Sequence, residues 1–328
     1  MALKRIVADV YVYSGTEGSY VSTDKRYTIQ KEKISSKDNI VLEIADLVRD
    51  YLSLKFNNDY LSETVWVSTS ITMYKENDEL VVGNNPKIDH FLAMDGYGYF
   101  EDAANPQLST NALITTNQLY VPENTASKLP IFAEGVGKVK VDSTDIQITD
   151  SGDSNQKIQY VDIPQNTSEI KVYATDDTNL LKTIKVTNVC EPKYTTYKVT
   201  FVNKYGAYQD VYFFKKSIEA LQVTEEDYKT NIINHSNINY NTYEGQKQRY
   251  NVNGSTSISL NTGFVNEEFN SVIEELFLAE NAWIRFENKT LPVITKSKSL
   301  TFKNSVNDKL INHTVELDFA FDKINNVR

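Results

Sequence analysis

Apolar and polar residues alternate along most of the chain, the pattern of strands with one face buried and the other wet. In IVADVYVY, Ile6, Ala8, Val10 and Val12 share one face; in TVWVSTSITMY, Val65, Val67, Ile71 and Met73 lie opposite Trp66, Ser68, Ser70 and Tyr74. The same period recurs in KVKV (138–141), DIQIT (145–149), KIQYVDI (157–163), EIKVYA (169–174) and TIKVTNV (183–189). Each run is bounded by Ser, Asp, Asn, Gly or Pro, and short strands at about ten-residue spacing predict a sandwich or barrel. Near the C-terminus, Trp283 and Arg285 lead through an ENKT turn to LPVIT, SLTFK and HTVELDFAF, the last with Val315, Leu317, Phe319 and Phe321 on one side.

Two stretches have helical period instead. NIVLEIADLVRDYLSL sets Val41, Ile44, Val48 and Tyr51 along one stripe, with Asp46 and Asp50 flanking Arg49 on the wet side. NEEFNSVIEELFLAEN gathers Phe269, Val272, Ile273, Leu276 and Phe277 on one face, with Asn266 placed to cap and Glu267 and Glu268 in the first turn. The predicted fold class is therefore mainly β with a few helices (α+β), multi-domain, built of β-sandwich-like modules. Pro122, Pro130, Gly135 and Gly137 mark one break and CEPKYTTY, around Pro192, another. These breaks delimit an N-terminal β domain with one amphipathic helix and a long polar loop (1–135), a small β-sandwich-like module (136–190) and a C-terminal β domain with one amphipathic helix (191–328).

Composition narrows the function classes. At 328 residues each domain can bury its own core, and no apolar run approaches a membrane span. Arg5 and Asp9 interrupt what would have to be the apolar block of a secretory signal, and the single Cys190 cannot close an internal disulfide, so synthesis in a reducing cytoplasm is expected. Thirty-four basic against 44 acidic residues leave a net charge of −10, which repels a phosphate backbone. Specific nucleic-acid binding is not expected, although an acidic surface suits a lining past which DNA slides without sticking.

Candidate chemistry is sparse. His90, His235 and His313 stand apart, with no second His or Cys at ligand spacing, and read as surface or structural residues. Cys190, at the end of a strand pattern, reads as a small buried residue rather than a nucleophile. DSGDSNQ (150–156) is the best cation candidate, but its glycine comes third and Val161 stands where an EF-hand needs a bidentate Glu, so it reads as a hairpin loop. GYGYF (96–100) and GVGKV (135–139) lack the rest of a phosphate loop and read as turns. Glu274 and Glu275 are placed on the wet face of an amphipathic helix. No metal or cofactor is expected, and an enzyme would need a constellation assembled from distant loops.

FVNKYGAYQDVYFFKK (201–216) crowds aromatic rings around Gly206. Tyr197, Val199 and Phe201 alternate with Lys198 and Thr200, residues 203–207 can turn, and DVYFF pairs back, which predicts a core hairpin with a tyrosine-rich outer face. The chain has 21 Tyr and 14 Phe, and tyrosine favours interfaces because it buries area while keeping a hydroxyl for hydrogen bonding. Tyr205, Tyr208, Tyr212, Phe214, Tyr97 and Tyr99 are the candidate assembly-interface residues.

YKVTFVNKYGAYQDVYFFKKS and the C-terminal run from LFLAENAWIRFENKT onward resemble virion structural proteins of tailed bacteriophages, particularly those of Bacteroidetes and related marine hosts. Phe201, Asn203, Tyr205, Gly206, Ala207, Phe213 and Phe214 match a strand, a glycine turn and an aromatic strand. Lys298, Ser299, Asn307, Asp308, Lys309, Leu310, Thr314, Val315, Glu316, Asn325 and Asn326 match the closing pattern. The resemblance implies a non-enzymatic component of the tail, neck or baseplate, located in the virion, which assembles with copies of itself into a ring and meets other tail or neck proteins. On that basis the polar stretch 100–130 is expected to be an arm that orders on assembly, with 104–128 removable from a folded monomer. A tail-borne adhesin stacking host glycans on tyrosines is the alternative, which glycan binding would reveal. A hydrolase is a third, which turnover lost on changing one carboxylate would reveal.

Overall fold

The computed structural model describes residues 3–35, 39–83, 85–102, 110–233, 236, 239–304 and 311–324. The protein is mainly β with a few helices. It divides into two compact units, one of Met1–Cys190 with Thr200–Val211 and one of Glu191–Val199 with Tyr212–Arg328.

In the first unit, strands β1 (Leu3–Tyr13), β2 (Lys25–Glu32), β3 (Thr64–Lys75) and β4 (Lys87–Met94) form an antiparallel sheet in the order β2-β1-β3-β4. Register sets Ile6 against Met73, Ala8 against Ile71 and Val12 against Val67, so the two predicted apolar faces meet on one side of the sheet. Val10, Val12 and Val67 make a core cluster with Val48, which is delivered by the short helix α1 (Ala45–Arg49). The predicted helix is thus cut to five residues. Ile44 and Val48 reach the core while Val41 is exposed, so only part of the stripe is used. The start of β3 also departs from a half-wet strand, because Trp66 and Ser68 are buried opposite Val67.

Strands β5 (Gln118–Pro122), β6 (Ser127–Phe132), β7 (Val136–Val141), β8 (Thr144–Gln147), β9 (Ile158–Ile163), β10 (Glu169–Ala174) and β11 (Leu180–Val189) complete this unit. Five of them form the sheet β5-β11-β10-β7-β8, and β6 pairs with β9. The expected break near residue 135 does not separate sheets: β5 runs parallel to β11 and β6 antiparallel to β9, so strands from both sides of it are interleaved. The expectation of a loose arm over 100–130 is corrected in the same way. Residues 103–109 lie outside the described residues. From there on, Leu113, Ile114, Val121 and Leu129 are buried core residues, so deletion of 104–128 would remove core rather than an appendage.

The chain then enters an aromatic hairpin, β12 (Tyr197–Val202) and β13 (Tyr208–Phe213), followed by β14 (Ile218–Lys229), β15 (Lys247–Asn261), helix α2 (Phe269–Leu278), β16 (Ala282–Phe286), β17 (Lys289–Thr295) and β18 (Thr314–Asp322). The sheet order is β13-β12-β16-β17-β18-β15-β14. In the second unit, Ile258, Leu260, Val315 and Leu317 are buried from the strands and Phe269, Val272, Ile273 and Leu276 from α2. At about 2 kcal/mol per fully buried large aliphatic side chain, this core is the main source of that unit's stability. SLTFK, expected as a strand, has no strand pairing. Glu275, expected on the wet face of α2, is buried.

Candidate functional site

The turn of the aromatic hairpin is organised by one side chain. Asn203 Oδ1 accepts from the amides of Tyr205 (3.1 Å) and Ala207 (3.2 Å), while its Nδ2 donates to the carbonyl of Leu113 (2.6 Å) and to Gln209 Oε1 (2.9 Å). Gly206 sits at φ +74°, and a Cβ there would lie 2.9 Å from the amide nitrogen of Asp95. Only glycine fits, on grounds of both conformation and space. The GYGYF segment packs against this turn, with the Tyr97 amide donating to the Lys204 carbonyl at 2.8 Å.

Beyond the turn, Tyr208 enters a cluster of rings. Its centroid lies 4.9 Å from Phe56, 6.5 Å from Tyr60 and 6.2 Å from Tyr160, onto which it stacks. The Tyr160 hydroxyl accepts from the Tyr208 amide at 2.9 Å. Tyr60 donates to the Asp210 carboxylate at 2.6 Å, and Thr200 donates to it as well. Burial pushes both the Tyr160 and Tyr208 hydroxyls above the ordinary tyrosine range, so neither ring is poised as a base. Burial also raises the Glu63 carboxyl, with Lys55 opposing it. The cluster anchors residues 200–211 inside the first unit.

The six candidate interface residues therefore separate into two groups. Tyr208, Tyr212 and Phe214 are 2%, 6% and 2% exposed and have almost no surface to offer a second copy. The predicted tyrosine-rich outer face is absent because both faces of the hairpin are covered. Tyr205, Tyr97 and Tyr99 are half-buried around Lys204, whose ammonium lies 5.1 Å from the Tyr99 ring and 5.3 Å from that of Tyr205.

Comparison with protein-family models and with curated proteins finds no match.

Ser68 Oγ lies 2.7 Å from His90 Nδ1, the contact a nucleophile needs from its base, yet Ser68 is fully buried and its oxygen also meets the Tyr13 hydroxyl at 2.8 Å. His313 is buried, its Nε2 lacks a partner, and burial aided by Lys303 lowers its pKa to about 4. His235 lies outside the described residues. Among the described residues no group of three or more His, Cys, Asp or Glu is arranged to hold a metal. Cys190 is exposed, contrary to expectation, because it follows the last residue of β11.

The 150–156 loop is a clamp. Trp66 Nε1 donates to the Asp153 carbonyl (3.0 Å), and Asn155 bonds Gly15 through its amide (2.9 Å) and its Oδ1 (2.9 Å). Asn155 and Thr64 also exchange side-chain to main-chain bonds, and Lys157 neutralises Asp150 at 2.6 Å. This loop covers Trp66 and explains why the start of β3 is buried beyond its core face.

A long exposed ribbon has no counterpart in the sequence pattern. All twelve residues of β14 are exposed. Its pairing with β15 runs past Gly254, where β18 stops, and a register shift at Thr224/Glu226 leaves Asn251 at φ +51° in a bulge that bends the ribbon. The ribbon braces itself: Glu225 pairs with Arg249, Tyr228 donates to Gln248 at 2.7 Å, and the Tyr228 and Tyr250 rings meet edge-on at 5.5 Å. Beyond it Tyr240 and Tyr243 are 56% and 83% exposed.

Proposed function

We propose that this chain is a non-enzymatic structural component of a tailed-phage virion, of the tail, neck or baseplate, and that copies of it assemble into a symmetric ring. The observation that supports this reading is the β14–β15 ribbon, an exposed edge with Ile218, Leu221 and Val223 in solvent. A two-stranded ribbon is marginally stable in water by itself, and an exposed edge strand offers its unpaired main-chain groups to another chain. The burial of Ser68 beside His90 and the clamped 150–156 loop favour architecture over catalysis. Sedimentation of the purified protein across a concentration range should show closed oligomers, and electron microscopy of virions should place it in the particle. A chain that stays monomeric at its highest soluble concentration and is missing from purified particles would refute the reading.

The second reading, a host-glycan adhesin, draws on Tyr240 and Tyr243, whose exposed rings lie beyond the ribbon and could stack on sugars. Glycan-array binding lost in Tyr243→Ala would favour it.

A further inference from the structure

Strand β14 ends the seven-stranded sheet, so one row of its main-chain donors and acceptors faces outward. Register with β15 places Glu219 opposite Ile258, Leu221 opposite Thr256 and Val223 opposite Gly254. Paired residues share a face, so the side of the sheet that buries Ile258 continues outward as Leu221 and Val223, 57% and 47% exposed. Acids dominate this edge: Glu219, Glu225, Glu226 and Asp227 against Lys229.

That charge argues against two β14 edges joining each other. The antiparallel register that sets Leu221 against Val223 of a second copy also sets Glu219 against Glu225, twice over by symmetry, and like charges directly opposite destabilise a sheet. The complementary edge must be basic. Strand β2, which ends the four-stranded sheet, has Arg26 and Lys31 exposed against one acid, Glu32, while its Lys25 pairs with Asp9 of β1 at 2.9 Å. Its Tyr27 and Ile29 are the half-buried residues that lean on the Val10 and Val12 cluster, so this edge also ends with a core face.

We infer that β14 of one copy joins β2 of a second copy edge to edge, antiparallel, in the register Glu219–Lys31, Leu221–Ile29 and Val223–Tyr27, ending where β2 bulges at Arg26. One face of the junction then carries an acid–base, an aliphatic and an aromatic–aliphatic pair, and the apolar sides of the two sheets become continuous. The opposite face pairs Ala220 with Gln30 and Gln222 with Thr28, both without charge conflict. The contact is heterologous, since the two edges differ, and a heterologous contact closes into a ring when its rotation allows. This inference rests on the assembly reading above and names the surface that reading needs.

The test is a charge swap and a crosslink in the full-length chain. Lys31→Glu alone and Glu219→Lys alone should each weaken association about tenfold, and the double variant should recover most of it, with unchanged circular dichroism throughout. In a Cys190→Ser background, mixing an Ile29→Cys chain with a Leu221→Cys chain should give a disulfide-linked dimer on mild oxidation, whereas either alone should not. Full-length rings that ignore both single reversals, or that form no mixed crosslink, would overturn this junction and leave the assembly reading standing. A full-length chain that never associates and is absent from particles would overturn both.

Discussion

The side-chain nitrogen of Asn203 donates to the main-chain carbonyl of Leu113 at 2.6 Å, both groups buried, joining the hairpin turn to a segment ninety residues earlier. With the three further bonds of the same carboxamide, this makes Asn203 the residue that fixes the turn and its docking together.

Asn203→Ala should destabilise the protein by about 3 kcal/mol, since it strands buried donors and acceptors on Leu113, Gln209 and the turn amides. Asn203→Asp should be no better. It keeps the oxygen that accepts from Tyr205 and Ala207 but sets a carboxylate oxygen against the Leu113 carbonyl. Urea midpoints of the two variants check this; a shift in Asn203→Asp much smaller than in Asn203→Ala would contradict it.

Gly206→Ala should cost roughly 2–4 kcal/mol, because the new methyl meets backbone at Asp95 as well as an unfavourable φ. Gly152 provides the contrast. It also has positive φ, +61°, but nothing lies within 4 Å of a Cβ there, so Gly152→Ala should cost only about 1 kcal/mol of conformational strain. Thermal melts of the pair separate steric from conformational cost.

What the sequence reveals depends on whether burial leaves a period. In β1 and β3 one face dominates the core, and the alternation of Ile6, Ala8, Val10 and Val12 names the buried side correctly. Leu113 and Ile114 are adjacent and both buried, so the segment from residue 110 has no alternation and passes for a polar loop. The same holds at Val211–Phe214, where four consecutive buried residues signal a strand covered on both faces, although they invite reading as a surface of rings. Strand β14 has the opposite difficulty. It is held by cross-strand pairs in water, and IEALQVTEEDYK shows charge where a buried strand shows period. The Asn155 clamp and the Ser68–His90 contact join residues too distant in sequence for any local pattern to announce them.

Asn155→Ala should lower stability by about 2–3 kcal/mol through loss of its side-chain bonds to Gly15 and Thr64. If the 150–156 loop acts as a clamp, melting temperature should be the same in excess calcium and in EDTA, in wild type and variant alike. A rise with calcium in the wild type alone would make the loop an ion site instead.

Acid should weaken the protein through His313. Burial holds its folded pKa near 4, below the value of 6.5 for an unperturbed imidazole. Between those values the unfolded chain binds a proton that the folded chain refuses, so stability rises with pH across the window. The contribution is complete above pH 6.5, drains away as pH falls towards 4, and amounts to at most about 3 kcal/mol. His313→Leu removes the titrating group and should flatten this part of the curve of urea midpoint against pH, whatever it does to stability at pH 7. Carboxylates that titrate lower, such as Asp142, held down by its bonds from Ser168 and Glu169 against partial desolvation, would act mainly below that window. A wild-type curve that is flat from pH 7 to 4.5, or an equally steep one in His313→Leu, would show that the imidazole is not the group responsible.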